Sequence, residues 1–326
     1  MDPQALCLQL DQEVEACKDN AFASTTKRTY DTHRKSYFKF CQLINVQPVP
    51  ATSQNICRYV VYLSRSLCYN SVTQYLNIIR VLHLEQNLPN PLLGDFKLKQ
   101  VLLGLKRKIG AQVKRKLPVE PSHLYHIYAK LDSDSILHNV YWGAALLLFY
   151  TLLRRSNLLV SKSDFNPSKH IRRRDVSITP TGAFVIIRWT KTIQFNQKEL
   201  RFPLPRLKGN IMCPTRALYN SLRLVNAGPD DPLFSLPDNK SLSPEVFITL
   251  TRQFLEGAVP NPKDYAGHSF RRGGASLLFQ SNTSVRLIQA LGDWASEAYS
   301  AYILPSEAML ASATSRLGVA LQNASP

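Results

Sequence analysis

The segment His268-Ser269-Phe270-Arg271-Arg272-Gly273-Gly274-Ala275 sets a histidine three residues before an arginine, with a second arginine beside it. Three distant segments carry side chains suited to the same chemistry. They are Thr151-Leu152-Leu153-Arg154-Arg155-Ser156-Asn157, Arg188-Trp189-Thr190-Lys191-Thr192, and Leu291-Gly292-Asp293-Trp294 with Tyr299 and Tyr302 following. Two arginines hold the non-bridging oxygens of a phosphate through paired hydrogen bonds and keep their charge. A histidine donates to the same oxygens or moves a proton near neutrality. A lysine protonates a leaving alkoxide, a tryptophan indole adds one donor, and a tyrosine hydroxyl attacks phosphorus to form a covalent ester. Such a set breaks a phosphodiester by letting cationic side chains neutralise the developing charge. The sequence shows no carboxylate cluster of the kind a two-metal nuclease needs, so neither a metal nor a cofactor is expected.

Each segment alone has a plainer reading. Arginines closing an apolar helix interact with its dipole, a hairpin lysine is solvated, and His268 and Arg271 pair on one helix face. A tyrosine among fourteen is a core aromatic by default. The four segments carry the chemistry only in combination.

The elements that must position them follow from periodicity. After a mildly acidic tail over residues 1–20, apolar residues recur at helical spacing in four stretches between residues 21 and 110. These are Tyr30 to Ile44, Ile56 to Leu63, Val72 to Leu82 and Phe96 to Leu105, punctuated by Pro48, Pro50, Pro89 and Pro91. The polar faces of this all-helical unit carry Lys27, Arg34, Arg80, Lys106 and Arg107 as candidate DNA contacts. A basic linker over 111–120, with Lys114 and Arg115, precedes Pro121; it suits a protein that wraps a duplex, a nuclear-localisation patch or a solvated tether. Residues 121–326 read as a mixed domain. Helices span about Pro121 to Lys130 and Leu137 to Leu153. Strands follow over Asp175–Ile178, Ala183–Thr192 and Leu200–Leu204, with a hairpin turn over residues 194–198, and helices resume from Pro214. Glu307 to Leu321 is amphipathic and suits either docking on a neighbouring subunit or packing on its own domain.

A length of 326 residues holds two cores, and the net charge of +17 favours a polyanionic partner. Basic residues spread along the chain favour nucleic acid over a membrane surface. The longest apolar run, Ala144 to Leu153, is too short to span a bilayer, and the acidic start does not resemble a secretory leader. Cys7, Cys17, Cys41, Cys57, Cys68 and Cys213 lack paired C-x-x-C spacing and are expected to be reduced core thiols of an intracellular protein.

In this order, the four segments resemble the tyrosine recombinase (phage integrase-like) family across most of the chain. "HSFRRGGA" and "GDWASEAYSAYI" look most like the eukaryotic mobile-element recombinases of the DIRS, Ngaro and Crypton kinds. The resemblance implies a mainly α protein, with a helical core-binding (SAM-like) N-terminal domain. A mixed α/β catalytic domain with a small antiparallel sheet would follow it. It assigns Arg154, His268 and Arg271 to transition-state stabilisation, Lys191 to the general acid, Trp294 to hydrogen-bonding and packing support, and Tyr302 to the nucleophile. Arg155 and Arg272 become phosphate, backbone or structural contacts. It implies duplex DNA as partner, a C-shaped clamp and a tetramer on paired sites from a monomer or dimer in solution; with the basic linker, a DNA substrate makes the nucleus the expected place of work.

Three departures stand out. Asn157 occupies a position that is usually acidic in the family. The Trp294–Tyr302 interval is one residue shorter than in many bacterial and phage members, which keeps Tyr299, on the same helical face, as an alternative nucleophile. Lys198 is the alternative to Lys191. Two other functions share the fold and stay open at this level: a catalytically silent, domesticated DNA-binding protein, and a type IB topoisomerase.

Overall fold

The computed structural model describes residues 2–110, 115–191, 193, 199–294, 296–303, 305 and 307–323, except for the side chains of 298, 301, 308, 321 and 323. Lys114 and Lys198 lie outside the described residues. The chain divides into two compact units, Met1–Lys114 and Arg115–Pro326, each with a core of its own.

The first unit is helical: α1 (Pro3–Asn20), α2 (Ser24–Leu43), α3 (Ser53–Ser64), α4 (Tyr69–Glu85) and α5 (Phe96–Ile109). Its core comes from one face of each of α2 to α5. Tyr37, Phe40, Tyr59, Val60, Ile78, Ile79 and Leu98 are buried at helical spacing. Thr52 and Asp95 cap α3 and α5 by accepting from Asn55 N and Leu98 N. α1 buries nothing, so the sequence expectation that the cysteines sit in cores fails for half of them. Cys7 and Cys17 on α1 are exposed, as is Cys68; Cys41, Cys57 and Cys213 are buried, and all six are free thiols.

The second unit contains α6 (Pro121–Ala129), α7 (Ile136–Thr151), the single turn α8 (Arg155–Leu158), strands β1 (Val176–Ile178), β2 (Gly182–Ile187) and β3 (Leu200–Pro205), and α9 (Pro214–Arg223). A two-residue pair, β4 (Ser235–Leu236) and β5 (Lys240–Ser241), leads to α10 (Pro244–Phe254), α11 (Gly267–Gln280), α12 (Val285–Leu291) and α13 (Glu307–Asn323). α7 is apolar all round, and it is buried from Val140 to Phe149 because other elements enclose it. It packs against α9 and α11. Gly273 and Gly274 make the second packing possible. A Cβ at Gly273 would meet the Val119 carbonyl oxygen at 1.8 Å, and one at Gly274 would meet that of Phe149 at 2.1 Å.

β1, β2 and β3 form an antiparallel sheet in that order. Ala183, Val185 and Ile187 of β2 and Phe202 and Leu204 of β3 alternate into the core. The strand expected to run to Thr192 stops at Ile187, and Arg188 to Lys191 leave the ladder. Among the described residues, no helix is long and apolar enough to cross a membrane.

Candidate active site

α7 does not run on to the arginines as the sequence suggested. It ends at Thr151, and Leu152 takes a left-handed conformation (φ 53°) although it carries a branched side chain. Such backbone costs of order 1–3 kcal/mol and persists only where packing enforces it. Leu152 is fully buried, packed with Ala275, Ile288 and Trp294. The sharp turn makes Arg154 the residue before α8 and Arg155 its first residue, both half-buried.

α11 opens with Gly267 and carries His268, Arg271 and Arg272 within its first two turns. Arg271 is only 1% exposed, which is far from the solvated pair of the plain reading. Its Nη2 donates to the Gly292 carbonyl at 2.8 Å, while its Nε has no partner. The Trp294 ring lies with its centroid 4.0 Å from the guanidinium carbon, and the Tyr302 ring at 5.4 Å. Trp294 and Tyr302 touch each other at 5.2 Å between centroids, and His268 lies 6.5 Å from Tyr302. Gly292 is small because the indole folds back over it; a Cβ there would sit 1.8 Å from the ring. The Ser276 hydroxyl donates to the Tyr302 carbonyl at 2.9 Å, tying the tyrosine turn to α11.

Charge crowds this place. Burial first, then Arg154, push the Arg271 pKa down to about 10 against the attraction of Tyr302 and Asp293; it stays cationic at neutral pH. Desolvation of its exposed but crowded ring, followed by Arg271, Arg155 and Arg154, lowers the His268 pKa below its usual 6.5. An unpartnered charged donor on Arg271 and a histidine beside several arginines make a site suited to an anion. A phosphate oxygen would satisfy both.

The structure therefore brings Arg154, His268, Arg271, Trp294 and Tyr302 together from three separated segments. Lys191 is exposed on the turn after β2, next to Thr190, whose hydroxyl donates to Asp293 Oδ2 at 2.7 Å. Asn157 is buried; its amide donates to the Trp189 carbonyl at 3.2 Å and its Oδ1 is unpartnered. It braces the hairpin and adds no charge. Tyr299 is half-buried in the cluster with Leu152 and Trp294; of the two tyrosines, Tyr302 is the one whose ring faces the Arg271 guanidinium.

The candidate DNA contacts divide by environment. Lys27 is exposed, 3.9 Å from Asp19, and Lys106 and Arg107 are exposed on the last turn of α5. Arg115 is exposed as well. Arg34 is engaged with both oxygens of Glu85 at 3.0 and 3.1 Å, and Arg80 with Asn77 at 2.9 Å. Arg272 is buried at 8% exposure, and Arg155 packs its stem against Gly267. Sequence reasoning passed over Thr190, Asp293 and the turn at Leu152. Of these, only Asp293 had a signal: an acid beside Trp294 in a chain that lacks one at Asn157.

No family model matches the chain. Two curated relatives do. An integrase/recombinase XerD homolog of Selenomonas ruminantium is 24% identical over 286 residues, covering 85% of this chain and 79% of the relative. The recombinase Cre of Escherichia phage P1 is 24% identical over 300 residues, covering 84% and 82%. Among solved structures, the XerH site-specific recombinase bound to palindromic difH in a post-cleavage complex superposes with a TM-score of 0.62. The match has 14% identity and covers 84% of this chain and 74% of that one. The Tn1549 transposon integrase in complex with transposon right end DNA gives 0.58 at 14% identity, over 94% and 98%. A λ integrase dimer bound to a COC′ core site gives 0.56 at 14%, over 90% and 93%. The fold is that of the tyrosine recombinases. Both curated relatives are recombinases by name, at 24% identity to this chain.

Proposed function

We propose that the protein is a site-specific DNA recombinase that cuts and rejoins duplex DNA through a covalent tyrosyl intermediate. The Tyr302 oxygen attacks the scissile phosphorus, the bond to the 5′ oxygen breaks, and a 3′-phosphotyrosyl linkage and a free 5′-hydroxyl result. Arg154, Arg271 and His268 take the non-bridging oxygens. Lys191 gives its proton to the departing 5′ oxygen. The cations of the chain do the neutralising that a metal does in other phosphoryl-transfer enzymes. Trp294 holds the Arg271 guanidinium flat by stacking on it. The reverse reaction, with the 5′-hydroxyl of a second duplex, exchanges strands.

One observation carries this reading: Arg271, buried with an unpartnered Nε, faces the Tyr302 ring at 5.4 Å, with Trp294 at 4.0 Å and His268 beside it. The wider setting extends it. The "HSFRRGGA" and "GDWASEAYSAYI" segments support a eukaryotic mobile element as source, and a DNA substrate with the basic linker supports the nucleus as the place of work. A tetramer on paired sites would use α13, which exposes Leu310, Leu317 and Val319. Trapping on a nicked suicide duplex tests the chemistry. Wild type and Tyr299→Phe are expected to form a covalent DNA adduct and Tyr302→Phe none. An adduct surviving Tyr302→Phe overturns the nucleophile, and absence of any wild-type adduct on DNA it binds overturns the enzyme. Relaxation of a plasmid without a second site would point to a topoisomerase.

A further inference from the structure

The site holds Arg154, Arg155 and Arg271, and the family's acidic position three past Arg154 is a neutral asparagine engaged with the Trp189 carbonyl. The carboxylate that acts on Arg271 comes from Asp293. Asp293 is 9% exposed and left-handed (φ 50°), a conformation in which aspartate is enriched. It sits in a turn that wraps the guanidinium, with the Gly292 carbonyl accepting from Nη2 and the Trp294 ring stacked on its face. Its Oδ2 also accepts from the Thr190 hydroxyl at 2.7 Å, and Thr190 is 1% exposed.

Thr190 is the anchor of the turn that carries Lys191. Its N–H donates to the Ile193 carbonyl at 3.0 Å, and the Ile193 N–H donates to the Thr190 carbonyl at 3.2 Å and hydroxyl at 3.1 Å. Lys191 lies inside that closed turn. The foot of the hairpin is pinned separately, where Arg188 pairs with the buried Asp175 carboxylate.

We infer that Asp293 is a positioning residue that clamps the Lys191 turn onto the Arg271 site, one carboxylate serving both. Arg271 fixes the phosphate and Thr190 fixes the lysine, so Asp293 sets the distance between the proton donor and the oxygen that must receive it. This rests on the recombinase reading. In the step concerned, the Tyr302 hydroxyl releases its proton to solvent as its O–P bond forms, the P–O5′ bond breaks, and the Lys191 ammonium proton ends on O5′.

A 5′-bridging phosphorothiolate isolates that proton. Its leaving group is a thiolate, which departs unprotonated, so its cleavage bypasses the lysine. The quantity to measure is the ratio of adduct-forming rates, phosphorothiolate over ordinary phosphodiester, for Thr190→Ser, Thr190→Val and Asp293→Ala beside wild type. Correct placement of a general acid is worth about 10²–10⁴-fold. Thr190→Val and Asp293→Ala are each expected to raise the ratio at least about tenfold, part of that range. Thr190→Ser, which keeps the hydroxyl, is expected to hold the wild-type ratio. Asp293→Ala should also slow both substrates by weakening Arg271, which the ratio cancels. Melting temperature identifies a variant that fails to fold, and the remaining one of the pair then decides. Unchanged ratios in the folded variants overturn the clamp. Absence of a wild-type adduct on either substrate overturns the recombinase reading itself, a distinguishable failure.

Discussion

The surroundings of His268 disfavour its protonated form, and that gives it a measurable signature. Burial and then the charges of Arg271, Arg155 and Arg154 penalise the imidazolium, so its titration midpoint lies below 6.5 in the free protein. A phosphate among these arginines reverses the balance by adding negative charge. The His268 ring resonances are expected to titrate below pH 6.5 in the free protein and to shift upward on binding duplex DNA. A midpoint at or above 6.5 without DNA would contradict the geometry. The same shift bears on stability. The unfolded chain binds this proton more readily than the folded one, so the folded state loses stability as pH falls through 6.5 towards the lowered midpoint. Above 6.5 the contribution is fully present.

At the scale of elements, the site depends on how closely α11 approaches α7. Leu152, packed with Ala275 of α11, turns the chain after α7 so that Arg154 leaves the helix axis. Gly273 and Gly274 set the approach, because backbone carbonyl oxygens of Val119 and Phe149 stand where their Cβ atoms would be. Carbonyls of packed segments have little room to yield. Gly274→Ala is therefore expected to lower stability by about 1–3 kcal/mol, the usual range for overpacking, read as a fall in denaturation midpoint with unchanged slope. Its adduct-forming rate should fall as well, since α11 carries Arg271. A Gly274→Ala protein as stable as wild type would show that the two helices have slack.

At the scale of the whole molecule, the charge of +17 calls for a polyanion, and the cations of the helical unit differ in how far they are available to one. Lys106 and Arg107 are exposed in a basic last turn of α5, whereas Arg34 is occupied by Glu85. Replacing Lys106 and Arg107 by glutamine is expected to weaken binding to target and non-target duplexes alike. It should also reduce the slope of log affinity against log salt by about one for each phosphate that the side chains no longer neutralise. A change confined to one sequence would instead mark them as base-reading residues.

Much of this protein is legible from its sequence because the relevant physics is local. Apolar residues at a 3.6 period marked α2 to α5, the long apolar run marked α7, and short β-rich runs either side of a polar turn marked β2 and β3. Residue chemistry pointed the four segments at a phosphodiester, and the family resemblance picked Arg154, Lys191, His268, Arg271, Trp294 and Tyr302 out of them. What the sequence could not decide depends on distant residues meeting in space, which no spacing rule encodes. Thr190 and Asp293 lie 103 residues apart and share a hydrogen bond. Arg271 and Arg272 are adjacent in sequence, yet Arg271 is the one that meets Trp294 and Tyr302, because successive residues on a helix point about a quarter-turn apart. Tyr299 and Tyr302 share a predicted face, and only the fold of the turn beyond Trp294 sets the second against the guanidinium. Residue types and the family resemblance indicated which chemistry the chain is equipped for; tertiary packing determined which of those atoms meet, because side-chain contacts between distant segments are not written in any local spacing.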